Sequence, residues 1–143
     1  MNSEKRYNVL FIDDREEDNY LCKVIIELEN LPMDGHFVDN GVAALLHLER
    51  AIEDDNVPFP DIIISDIKMP IMDGFEFARR FADLYAESHP DTHFFITSSS
   101  IRQSDETRAK NMPVVTDFFR KPFSKQVFDN IKKRYLEPSP EVE

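Results

Sequence analysis

The chain has 143 residues, 41% hydrophobic and 31% charged, which suits one soluble globular domain with a single substantial core. Its formal net charge of −11 leaves no basic excess to displace counterions from a phosphate backbone, so a nucleic-acid partner is not expected and a cation site is favoured. No apolar run approaches the ~20 residues of a membrane span, no signal-peptide apolar region follows the N-terminus, and the single cysteine, Cys22, can form no internal disulfide; the expected location is the reducing cytoplasm, away from membranes.

Asn8 to Ile12 is a short apolar run, read as a first strand, and it ends at Asp13-Asp14. A helix begins at Asp14 or Arg15, with Leu21, Ile25 and Leu28 at i, i+4, i+7 spacing. Glu16, Glu17 and Asp18 read as solvated helix-end charges. Asn30 to Gly35 breaks the helix, His36 to Val38 is a brief second strand, and Asn40-Gly41 turns into a helix facing inward with Val42, Leu45, Leu48 and Ile52. The polar stretch Asp54 to Pro60 is a loop.

Ile62, Ile63 and Ile64 form a β-branched run too short for a helix and apolar on both faces, as a strand buried between two helical layers reads. It stops at Ser65-Asp66, where an ionisable carboxylate stands at the strand's carboxyl end. Pro70 and Asp73-Gly74 then turn the chain, and Asp73 with Glu76 has capping-box spacing. Phe77, Phe81 and Leu84 form the next helical face. His93 to Ile96 is a fourth strand leading into Thr97, and Ser104 to Met112 a short helix. Val114 to Phe119 is a fifth strand ending at Lys121-Pro122. Ser124 caps a last helix with Val127, Phe128, Ile131 and Tyr135 facing inward.

Five strands alternating with five helices imply an α/β fold with a doubly wound parallel sheet covered on both faces. The strand order 2-1-3-4-5 is expected, because it sets the first and third strands side by side at the topological switch point, where ligands bind outside the carboxyl ends of the strands. The strand ends then offer one crevice Asp13-Asp14, Asp66, Thr97 and Lys121. Two like charges ~5 Å apart repel by roughly 3 kcal/mol at an effective dielectric of 20. A divalent cation relieves that repulsion, and hard carboxylate oxygens with retained waters suit Mg²⁺. The four histidines and Cys22 fall in no metal-ligand spacing.

With these residues each at its strand end, the chain resembles a receiver domain of the two-component response regulators, of the single-domain, chemotaxis-regulator-like type. The match runs from Tyr7 to Tyr135. The resemblance implies the flavodoxin-like receiver fold over residues 1–137, with 138–143 a short acidic tail. It implies Asp66 as phosphoacceptor, taking a phosphoryl group from a phosphohistidine in a Mg²⁺-dependent reaction. It also implies Mg²⁺ held by Asp13, Asp14, Asp66 and the backbone carbonyl of Lys68. Lys121 and Thr97 match the residues that meet the phosphoryl group, Phe118 the switch position, and Lys121-Pro122 a cis peptide bond.

The function so implied is a stand-alone switch and not an enzyme. It is served by a sensor histidine kinase or a histidine phosphotransfer protein, and its output runs to a protein target through the fourth helix, fifth strand and fifth helix. Two alternatives keep the receiver reading: a relay that passes the phosphoryl group to a histidine phosphotransfer protein, and the receiver end of a longer regulator cut near Pro138. A Mg²⁺-dependent aspartyl phosphohydrolase is disfavoured, because Lys68 stands where such enzymes carry a second aspartate.

Overall fold

The computed structural model describes residues 5–100 and 102–137. Five strands, β1 (Tyr7–Ile12), β2 (Met33–Val38), β3 (Ile62–Asp66), β4 (His93–Ser98) and β5 (Asp117–Arg120), form one sheet in the order β2-β1-β3-β4-β5. All four pairings are parallel. The helices are α1 (Glu16–Leu28), α2 (Gly41–Glu53), α3 (Gly74–Phe81), α4 (Gln103–Lys110) and α5 (Lys125–Ile131). Wider π-helical turns extend α3 over Ala82–Ala86 and α5 over Lys132–Leu136. Architecture and strand order are those expected from the alternation. The boundary assigned to the acidic tail, 138–143, lies outside the described residues.

Every residue of β3 is buried, because the sheet carries a core on each face. Ile63 joins Leu10, Ile12, Phe94 and Ile96 in one core, closed by Leu48 of α2 and by Phe77 and Phe81 of α3. Ile62 and Ile64 join Val9, Phe11 and Phe95 in the other, closed by Ile26 of α1 and by Phe128 and Ile131 of α5. Period-two alternation thus feeds both layers from the same apolar runs. Phe118 and Phe119 divide the same way, the first into the α2–α3 core and the second against Phe95, with ring centroids 5.4 Å apart.

Several helix faces differ from the apolar spacing. Leu28, Val42, Ile52 and Leu84 are exposed, and the buried positions are Cys22 and Ile26 on α1 and Ala44, His47 and Leu48 on α2. Small or half-polar side chains share the buried stripe with Ile26 and Leu48, so it lies beside the one the large aliphatics trace. The second strand starts at Met33 rather than His36, because backbone pairing to β1 carries it through the exposed Asp34 and Gly35. The fifth strand starts at Asp117, since Val115 N donates to Met112 O across a turn (3.0 Å). Asp73 caps α3 as its spacing implies, accepting from Glu76 N at 2.8 Å. Ser124 stands at the start of α5, but its side chain makes no capping bond.

The loop from β3 to α3 is drawn tightly under the strand end. Gly74 N donates to Ile67 O at 2.8 Å, and a Cβ on Gly74 would lie 2.2 Å from the backbone oxygen of Asp66. Ile71 adopts φ 73°, an unusual value for a β-branched residue, as Met72 N reaches back to Pro70 O (2.7 Å). Helix propensity alone would make Gly74→Ala stabilising by ~1 kcal/mol. The backbone clash outweighs this, and we expect a net loss of about 2–4 kcal/mol, read as a lowered urea midpoint at unchanged slope.

Candidate functional site

Register alone brings the first carboxylates together. Ile12 pairs with Ser65, so the residues that follow them, Asp13 and Asp66, leave the sheet as neighbours. Across β3, Asp66 pairs with Thr97. Lys121 follows β5, its backbone N–H bonded to Ser98 O at 2.9 Å, and the Lys121–Pro122 peptide bond is cis. Asp13, Asp14 and Asp66 each offer an oxygen, and these oxygens lie within 4.8 Å of one another. Asp13 and Asp66 are buried and Asp14 is exposed. Three hard oxygen donors at that separation, one open to water, fit a small divalent cation.

The Lys121 ammonium lies among these groups, its side chain 6% exposed. It donates to Asp13 Oδ2 at 2.5 Å and to Asp18 Oδ2 at 2.9 Å, and lies 3.4 Å from Asp66 Oδ1. Asp13 is held further by Arg15 N, which donates to its Oδ1 (3.0 Å). The Asn19 amide donates to the carbonyls of both Asp13 (3.2 Å) and Val38 (3.3 Å), tying the ends of β1 and β2 under α1. Thr97 is buried, and among the described residues its hydroxyl makes only a long bond to Ser65 O (3.5 Å). Phe118 is buried among the α2–α3 core residues, with the Arg120 guanidinium 5.7 Å from its ring. Asp14 lines two open clefts. One, of about 780 Å³, lies toward Tyr20, Lys23 and Asp39, and the other, of about 590 Å³, toward Lys68, Asp105 and Arg108.

Burial sets the protonation chemistry. It pushes the Asp66 carboxyl up to about 6, the nearby Lys121 charge opposing and the Asp13 charge adding to the rise. Asp13 is raised as well, by burial first, against the hydrogen bond from Lys121. Burial pulls Lys121 down, but the hydrogen bonds to Asp13 and Asp18 and the charge of Asp66 outweigh it, and its net shift is upward. The ammonium therefore stays charged, while burial disfavours the ionised forms of Asp13 and Asp66.

The family model for the response regulator receiver domain matches residues 9–132. The chain belongs to that family. The crystal structure of a two-component response regulator from Cytophaga hutchinsonii is 26% identical over 94% of this chain and 100% of its own, with a TM-score of 0.83. The chemotaxis protein CheY4 of Vibrio cholerae, 23% identical over 92% of this chain and 99% of its own (TM-score 0.71), shares the fold. Among curated proteins, protein-glutamate methylesterase/protein-glutamine glutaminase 3 of Hahella chejuensis is 37% identical over 78 residues. That stretch is 54% of this chain and 20% of the relative, so the chain spans a small part of that protein.

Receiver domains are signalling domains that bind Mg²⁺ at an acidic pocket, and their membership implies a kinase or phosphotransfer partner and a downstream target. Among the described residues, no helix of this receiver is long and apolar enough to cross a membrane. The structure gathers Asp13, Asp14, Asp66, Thr97 and Lys121 at one sheet edge, with Lys68 exposed on the rim and Phe118 behind it in the core. Sequence reasoning missed Asp18 and Asn19. Asp18, read as a solvated charge, is mostly buried and bonded to Lys121. The signal available was position, since the first turn of a helix that follows a strand directly lies over that strand's carboxyl end.

The shifted Asp66 has a consequence for stability. Its carboxyl, pushed up to about 6, lies above the ordinary value of 3.8, so the native state binds more protons between those values. Its contribution is fully present below 3.8 and is lost as pH rises through about 6. Asp66→Asn stays neutral throughout. In chemical denaturation it should be more stable than the parent at pH 7, with the gap closing toward pH 4; a gap independent of pH would contradict the shift.

Proposed function

We propose that Asp66 is the phosphoacceptor of this receiver. An Asp66 carboxylate oxygen attacks the phosphorus of a phosphohistidine on a sensor kinase or a phosphotransfer protein. The O–P bond forms as the P–N bond breaks, and the departing imidazole nitrogen keeps the electron pair and takes up a proton from solvent. Asp13, Asp14, Asp66 and the Lys68 carbonyl would hold Mg²⁺, which when bound offsets the charge on the transferring phosphoryl oxygens. Lys121, already 3.4 Å from Asp66, places an ammonium beside the new phosphoryl group.

The observation that carries this reading is the placement of one buried ammonium against a buried acceptor carboxylate within reach of two further strand-end carboxylates. The output reading rests on the packing behind it. Thr97 has one long hydrogen bond to give up, and turning its hydroxyl toward a phosphoryl group would be felt in β5, where Phe119 pairs with Thr97 and Phe118 precedes it. Arg120 ties β5 to α4 through Glu106 (2.9 Å) and the Ser100 carbonyl (2.7 Å), so the change would reach the α4–β5–α5 face. We propose that a protein target binds there, that the receiver is a non-enzymatic switch, and that it works in the cytoplasm.

Intact mass after incubation with acetyl phosphate and Mg²⁺ tests the central step. We expect one added phosphoryl group in the parent, and none in Asp66→Asn or with Mg²⁺ chelated. Addition to Asp66→Asn at the parent's level would place the acceptor elsewhere.

A further inference from the structure

We infer that Asp18 is a positioning residue that competes with the phosphoryl group for Lys121; this rests on Asp66 being the acceptor. Three carboxylates surround the Lys121 ammonium, and two of them, Asp13 and Asp66, belong to the cation site. Asp18 does not: it stands in the first turn of α1 and shares the ammonium with Asp13. Its contact, at 2.9 Å, has the length of a charge-assisted hydrogen bond, whereas the 3.4 Å approach to Asp66 is an ion pair only. In this conformation Lys121 is hydrogen-bonded to Asp13 and Asp18 and stands off from the acceptor.

Asp18 is itself held in place. Its side chain is 19% exposed, and the Arg15 guanidinium reaches the same carboxylate oxygen, Oδ2, at 3.2 Å. The carboxylate is thus fixed between a surface cation and a buried one, and it offers Lys121 a partner outside the carboxylate cluster. When Asp66 carries a phosphoryl group, the added negative charge draws the ammonium toward β3, and each step in that direction lengthens the bond to Asp18. The free state is stabilised by that bond and the phosphorylated state less so. Asp18 accordingly lowers the affinity of the site for a phosphoryl group, and it does so through Lys121.

Removing the Asp18 charge also lessens plain repulsion of any anion at the site, so the test has to separate the two routes. The probe is beryllofluoride with Mg²⁺, which coordinates a carboxylate oxygen in the tetrahedral shape of a phosphoryl group, with binding followed by fluorine NMR. Asp18→Asn, nearly isosteric, should bind it about threefold to tenfold more tightly than the parent, the range open to one partly buried charge pair. The gain should vanish when Asp18→Asn is made on Lys121→Met. Glu17→Gln, which removes an exposed charge from the same turn, should change little. The Lys121 ammonium nitrogen resonance should also move in Asp18→Asn without any ligand, a signature that a purely structural role would not give. Unchanged or weaker binding by Asp18→Asn, or an equal gain with and without Lys121, would overturn the inference alone. A parent that neither binds beryllofluoride nor accepts a phosphoryl group would overturn the acceptor reading and the inference with it.

Discussion

Lys121 brings one positive charge into a crevice where Asp13, Asp18 and Asp66 all touch or approach it and Asp14 stands close by. Carboxylates ~5 Å apart in a partly buried setting repel by roughly 3 kcal/mol per pair, and one ammonium cannot neutralise four of them. Burial raises Asp66 and Asp13 by taking water from their charged forms, and the Asp13 charge adds to the rise at Asp66. Such a cluster is a poor way to stabilise a fold, since buried charge pairs often contribute less than apolar packing of the same volume. On the proposed reading its value is that it stands ready for a divalent cation and for a phosphoryl group on Asp66, both of which would change the balance.

The rest of the molecule holds that imbalance in place. A sheet with an apolar core on each face keeps β1 and β3 in register, so that Asp13 and Asp66 emerge as neighbours. Asn19 clamps the ends of β1 and β2 from α1, and Gly74 lets the β3–α3 loop lie against the Asp66 backbone, where a Cβ would collide. The strained φ of Ile71 lies in the same loop, three residues before Gly74. Rigid positioning of a few charged groups comes from backbone packing around them more than from the charges themselves.

How much of this was legible in the sequence depended on how local each signal is. Asp13-Asp14 and Asp66 stand at the ends of apolar runs, and the alternation of elements puts those ends on one edge, so the core of the site could be read directly. Lys121 and Thr97 followed from the same rule. Asp18 shares that edge by its place in the first turn of α1, but beside Glu16 and Glu17 it reads as one of a run of solvated charges, and the Lys121 it meets lies 103 residues along the chain. Helix faces were misjudged for a related reason. Leu28, Val42, Ile52 and Leu84 carry the expected apolar spacing, yet Cys22, Ala44 and His47 take buried positions beside Ile26 and Leu48.

The measurement that bears most directly on the central claim, that the strand-end carboxylates act as one cation site, is the thermal midpoint across a Mg²⁺ titration in the parent and in Asp14→Asn. Asp14 is exposed, so its loss leaves the core alone and removes one oxygen donor. Mg²⁺ binding to the folded site should stabilise the parent, by ~1.4 kcal/mol at ten times the dissociation constant, and most of that rise should disappear in Asp14→Asn. A midpoint indifferent to Mg²⁺ in the parent, or an equal rise in both proteins, would contradict the claim.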